Sequence, residues 1–130
     1  MISSIRLDGS TACMHLPGAA DTVAFITYIG EVLCPTLRHG DIVVMDNLAV
    51  HKSPQVKALV EARGAEVRFL PAYSPDLNPI EKMWSKIKAS LRSSEARTPE
   101  ELDLAISHAF AKITAKDAAG YFASCGYSII

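Results

Sequence analysis

Asp41-Ile42-Val43-Val44-Met45-Asp46-Asn47, and after it Leu70-Pro71-Ala72-Tyr73-Ser74-Pro75-Asp76-Leu77-Asn78-Pro79-Ile80-Glu81, are the two segments around which this chain is arranged. The first is an apolar run without alternation, as expected of a central strand covered on both faces, and it ends in a carboxylate. The second leaves another apolar run, Val67-Arg68-Phe69-Leu70, and enters a helix through Asn78, Pro79 and Glu81, the residues of an N-cap, a first helical position and a capping box. Between the two runs, Ser53-Pro54 opens a helix with the stripe Val56, Leu59, Val60, and Gly64 closes it, so the helix spans about 54–63. Strand, helix and strand make a βαβ unit with two parallel strands.

Upstream of this unit, Ile2–Leu7 and Thr11–Leu16 are short β-prone runs around Asp8-Gly9-Ser10, a local hairpin signal. From Asp21 to Leu37, Val23, Phe25, Ile26, Ile29, Val32 and Leu33 recur at three- and four-residue spacing, which predicts one amphipathic helix capped by Asp21. Downstream, Ile80, Trp84, Ile87 and Leu91 line one face of the helix that begins at Pro79. Thr98-Pro99-Glu100-Glu101 starts a second helix with Leu102, Leu104, Ala105, Ala109 and Phe110, and a last helix opens at Thr114–Asp117 and stops at Gly126. The predicted element order is ββαβαβααα, an α/β fold in one domain over residues 1–130.

Composition sets the frame. A chain of 130 residues that is 49% hydrophobic and 21% charged can bury a core and is not globally disordered. Thirteen Lys and Arg against 14 Asp and Glu leave a net charge of −1, so a nucleic-acid partner has to be read from the placement of charge rather than its sum. Cys13, Cys34 and Cys125 are odd in number and form no C-x-x-C pair, which fits neither a disulfide framework nor a zinc ribbon and points to a reducing compartment. With no signal-peptide pattern and no long apolar run, a cytoplasmic location without membrane contact is expected.

Asp46 and Glu81, separated by the 34 residues 47–80, each stand where a strand ends or a helix begins. An α/β sheet places ligands beyond the carboxyl ends of its strands, so Asp46 and its neighbour Asn47 occupy a functional edge, although Asp-Asn also suits an ordinary polar turn. Glu81 at the third helical position is accounted for by capping alone; the positive end of the helix dipole equally suits a carboxylate that ligates a hard divalent cation. His51 has no second His or Cys at ligand spacing, which argues against zinc and leaves either a hydrogen-bonding loop residue or a substrate contact. Lys82, Lys86, Lys88 and Arg92 make one flank of the Glu81 helix basic, as a solvated face or as a track for a phosphate backbone. Trp84 lies in the apolar stripe and is read as core.

The combination of Val43-Val44-Met45-Asp46-Asn47, His51-Lys52, Leu70-Pro71, the run from Tyr73 to Glu81, Trp84 and Lys88 resembles the catalytic domain of DDE transposases (DDE superfamily endonucleases), specifically bacterial insertion-sequence transposases of the mariner superfamily. The likeness extends from the Leu7-Asp8-Gly9 hairpin to the tail at Phe122–Tyr127. It implies a ribonuclease-H-like mixed sheet flanked by helices, and Mg²⁺- or Mn²⁺-dependent cleavage and strand transfer at transposon ends. It also implies that Asp46 and Glu81 are catalytic metal ligands, with Asn47, His51 and Asn78 in support and Lys52, Lys82, Lys88 and Arg92 on DNA. In two-metal phosphoryl transfer such carboxylates hold cations roughly 3.5–4 Å apart, one activating water or a 3′-hydroxyl and the other stabilising the leaving oxygen.

One element of that family pattern has no counterpart here. The family's first aspartate lies on a strand upstream of the hairpin, whereas Asp8 falls in the hairpin turn and Asp21 at a helix start. The resemblance therefore implies the C-terminal part of a split or truncated transposase, inactive alone, whose DNA partner is joined by an upstream transposase fragment carrying the aspartate. Homodimerisation through the open sheet is also expected. The alternative is a non-enzymatic relic or interaction module that keeps the fold.

Overall fold

The computed structural model describes residues 1–16, 18 and 21–127, with Ala49 and Val50 described by backbone alone. The elements are β1 (Ile2–Ile5), β2 (Thr11–Met14), α1 (Thr22–Thr27), β3 (Ile42–Met45), α2 (Pro54–Glu61), β4 (Glu66–Phe69), α3 (Pro79–Ser94), α4 (Pro99–Ala111) and α5 (Ala115–Ser124). Their order is the ββαβαβααα expected. The chain divides into two compact units, one of residues 1–4 and 12–78 and the other of residues 5–11 and 79–130.

In the first unit β3 and β4 pair in parallel, with Ile42 opposite Glu66 and Met45 opposite Phe69. A parallel pair needs a crossover, and α2 supplies it. Ser53 caps α2 by accepting from the Gln55 N–H, Pro54 takes the first helical position, and Gly64 ends the connection with φ +74, a left-handed value glycine adopts at little cost. The core of the unit is Phe25, Tyr28, Ile29, Leu33, Cys34, Met45, Val56, Val60 and Ala65, with Ile2 and Met14 from the hairpin and Val43 and Val67 from the parallel pair packed against it. Both strand pairs thus rest on one core. Among the described residues they are nevertheless two separate two-stranded sheets, β1 with β2 and β3 with β4.

Two expectations for this unit are corrected. The helix predicted over Asp21–Leu37 is α1 followed by a π-helical run, Tyr28–Leu33, and a 3₁₀ turn, Cys34–Thr36. In that run the Cys34 N–H reaches back five residues to the Ile29 carbonyl, and this wider turn brings residues five apart to one side. Tyr28 with Leu33, and Ile29 with Cys34, consequently all face the core, and Pro35, which has no N–H to donate, follows at once. Val23, assigned to the buried stripe, is 72% exposed. β3 is likewise not covered on both faces, since Met45 is buried but Ile42 is 50% exposed. A strand paired on one side only, at the start of its run, leaves its first residue to solvent.

The second unit is built on helices α3, α4 and α5, with Met83 and Ile87 of α3, Ala105, Ile106 and Ala109 of α4, and Ala118 of α5 buried. Capping boxes open α4 (Thr98 with Glu101) and α5 (Thr114 with Asp117), each satisfying two N–H groups that a helix start leaves unpaired. Trp84 is half-buried and meets the Phe110 ring edge-on at 6.2 Å, as a core residue would. Leu104, placed in the buried stripe from its spacing, is 58% exposed, because α4 turns Ala105, Ile106 and Ala109 inward instead. The hairpin tip belongs here too. Gly9 has φ +91, and a Cβ on it would lie 2.8 Å from the Ala115 nitrogen, so the turn needs both the conformation and the size of glycine.

Candidate functional site at the carboxyl end of the parallel strands

Asp46 follows directly on β3, half-buried, at the end of the strand where α/β proteins gather ligands. Its backbone carbonyl is held twice, accepting from the Leu48 N–H at 2.9 Å and from the His51 ring at 3.0 Å through Nδ1. A carbonyl can only accept, so Nδ1 is the donor in this contact. The ring is further fixed by stacking on Phe25, with centroids 4.4 Å apart and planes 25° from parallel. His51 is therefore tied to the Asp46 backbone and to the core.

The carboxylate itself is oriented from the other segment. The Asn78 amide donates from Nδ2 to Asp46 Oδ1 at 3.0 Å, and Asn78 is 8% exposed, the one buried polar residue among those described. The loop that delivers it is anchored at both ends: the Leu70 N–H donates to the Met45 carbonyl at 2.8 Å, and a 3₁₀ turn, Pro75–Leu77, closes with the Asn78 N–H on the Pro75 carbonyl at 3.0 Å. Among the described residues no side chain donates to Asp46 Oδ2, so the carboxylate presents an acceptor-only oxygen beyond the strand end. Asn47 and Lys52, on the segment that leaves β3, are exposed.

Glu81 stands in the first turn of α3 with its side chain exposed. The Asn78 N–H, from which a capping-box Glu81 would accept, donates to the Pro75 carbonyl at 3.0 Å. Along α3, Lys82, Lys88 and Arg92 are exposed. Lys86 departs from the basic flank: it is half-buried and its ammonium is spent on Asp117 and on the Lys112 carbonyl. The Lys86 hydrogen bond, with a second from the Thr114 N–H, holds the Asp117 carboxyl below the usual carboxylate range. Nothing in the local sequence of α3 marks Lys86 as different from its neighbours, since its partners lie 26 and 31 residues away.

Hard oxygen donors such as Asp46 and Glu81 suit a divalent cation of the Mg²⁺ type. Among the described residues, however, no group of three or more His, Cys, Asp or Glu side chains is gathered as a metal site. The three cysteines are free thiols, and burial pushes Cys13 and Cys34 upward from the ordinary thiol value. No described helix is long and apolar enough to cross a membrane.

No curated protein matches the chain. The family model described as DDE superfamily endonuclease matches residues 1–103, from the hairpin through β3, β4 and α3 into α4. Small antiparallel and parallel strand pairs with five helices are the elements of a ribonuclease-H-like fold. On that match, which spans most of its length, this chain belongs to the DDE superfamily of endonucleases.

Proposed function

We propose that the chain is the C-terminal catalytic part of a bacterial insertion-sequence transposase of the mariner superfamily, cutting and joining DNA at transposon ends. Family membership carries with it a nuclease or transposase activity on DNA, and superfamily members use divalent cations. The observation that best supports the finer reading is the Asn78 to Asp46 hydrogen bond, which ties the loop after β4 to the carboxylate at the end of β3. Asp46 and Glu81 are read as the two carboxylates that hold Mg²⁺ or Mn²⁺, with Asn78 and His51 orienting Asp46 and Asn47 lying beside it. Lys52, Lys82, Lys88 and Arg92 are exposed and suited to phosphates. When bound, the cations supply activation of a water or 3′-hydroxyl and charge neutralisation at the leaving oxygen.

Two carboxylates leave such a centre short of ligands, and among the described residues β1–β2 and β3–β4 rest on one core without pairing to each other. An upstream transposase fragment that supplies both a strand and an aspartate would answer both features. The same open strand edges suit a homodimer, and the site of action is the bacterial cytoplasm, at the nucleoid. The test is cleavage and strand transfer on DNA carrying transposon ends, with Mg²⁺ or Mn²⁺, by the chain alone and with the upstream-encoded polypeptide. Activity restored by the added polypeptide and abolished by Asp46→Ala supports the proposal. Robust cleavage by the 130-residue chain alone overturns the need for a partner. No activity in either case favours a relic that keeps the fold.

A further inference from the structure

Among the described residues Tyr73 is the most exposed large apolar one, at 102%, and it makes no hydrogen bond or ring contact with any of them. It also has φ +58, a left-handed backbone conformation unusual for a bulky side chain and one that glycine or asparagine ordinarily takes in a turn. Two local costs, backbone strain and an aromatic ring in water, are therefore offset by nothing within the described chain. Its loop is nonetheless anchored. Tyr73 lies between Pro71 and Pro75, on a loop whose ends are fastened to Met45 through Leu70 and to Asp46 through Asn78. Leu48, Phe69 and Leu77, which leave the same strand ends, are exposed as well, and exposed Lys52 adds positive charge to that edge.

We infer that Tyr73 is a base-stacking residue, which receives an unpaired nucleobase of the DNA end brought to Asp46. The inference rests on the DNA reading above and adds to it a preference for ends with unpaired bases. A tyrosine ring offers a flat face to any base without sequence preference and gives up only two side-chain rotations on binding. A loop backbone anchored at both ends leaves mainly those two rotations to be ordered on stacking. Lys52 beside the same strand end complements the phosphates that accompany such a base.

The experiment uses the 130-residue chain and two labelled probes with the same duplex, one blunt and one bearing a short 3′ overhang that contains 2-aminopurine. Binding of the overhang about tenfold tighter than the blunt duplex is expected, with quenching of 2-aminopurine. Tyr73→Ala should abolish the preference and the quenching while leaving blunt-duplex affinity unchanged, and Tyr73→Phe should keep both. Tyr73→Gly should also lose the preference, yet melt at a higher temperature because its backbone is relaxed. Equal binding of both probes by the parent chain, or quenching that survives Tyr73→Ala, overturns the inference and leaves the DNA reading standing. Failure to bind either probe, both alone and with the upstream-encoded polypeptide added, overturns the DNA reading and the inference together. A Tyr73→Ala effect confined to oligomeric state assigns the ring to a protein contact and overturns base stacking.

Discussion

Asn78 and Asp46, 32 positions apart in the chain, meet through a 3.0 Å hydrogen bond from the Asn78 amide nitrogen to Asp46 Oδ1. The donor is buried and the acceptor half-buried, so the bond joins the loop after β4 to the end of β3 where water competes poorly. It makes one residue of the Ser74–Glu81 motif a positioning group for a carboxylate at another strand end.

Removing that donor should therefore destabilise the first unit. Asn78→Ala is expected to cost about 1–3 kcal/mol in urea denaturation, the range for leaving a buried polar partner unsatisfied. Asn78→Asp should cost at least as much at neutral pH, because it sets a second carboxylate against Asp46, and should recover as the pH is lowered and the pair takes up a proton. An Asn78→Asp variant whose stability does not rise on acidification would show that the two side chains do not face each other.

The Lys86 and Asp117 pair gives the second unit an acid limit. Asp117 is held below the usual carboxylate range, first by the Lys86 hydrogen bond and then by the Thr114 N–H. A depressed folded-state value stabilises at pH above the unfolded carboxylate value and loses that stabilisation as pH falls through the depressed one. Asp117→Asn should thus melt below the parent chain at pH 6–7, with the gap closing below about pH 4. Melting curves across that range check it.

Gly9→Ala should destabilise the hairpin tip and α5 together by more than about 1 kcal/mol, since a left-handed φ and a backbone neighbour 2.8 Å from the new Cβ both oppose it. Backbone at the start of a capped helix cannot swing aside as a side chain can. Loss of amide-exchange protection in α5 together with the hairpin is the expected signature.

Ser3→Ala should be neutral or stabilising by up to about 1 kcal/mol. Among the described residues the Ser3 hydroxyl is the buried side-chain oxygen that finds no hydrogen-bond partner, and removing it removes a desolvation penalty. Chemical denaturation of the two proteins side by side decides the sign.

The order of elements and most of their ends were legible from residue types alone, because turns and caps are local. Gly64 and Gly126 at helix ends, Thr98 and Thr114 as caps, and Asp8-Gly9 in the hairpin each act within a few residues, and each is where the residues predict it. The family, too, was legible, since its motifs are contiguous runs around Asp46 and Glu81. Contacts between distant segments were not. That Asn78 spends its amide on Asp46, that Lys86 alone of its flank is bound to Asp117, and that the first helix widens so that Tyr28, Ile29, Leu33 and Cys34 all turn inward depend on how whole elements pack. Spacing along a helix can say which residues share a face, but which face becomes the inside is chosen by the neighbours it packs against. The sequence determined the elements and the carboxylates at their ends; tertiary packing alone decided how Asp46 is held and which lysines remain exposed.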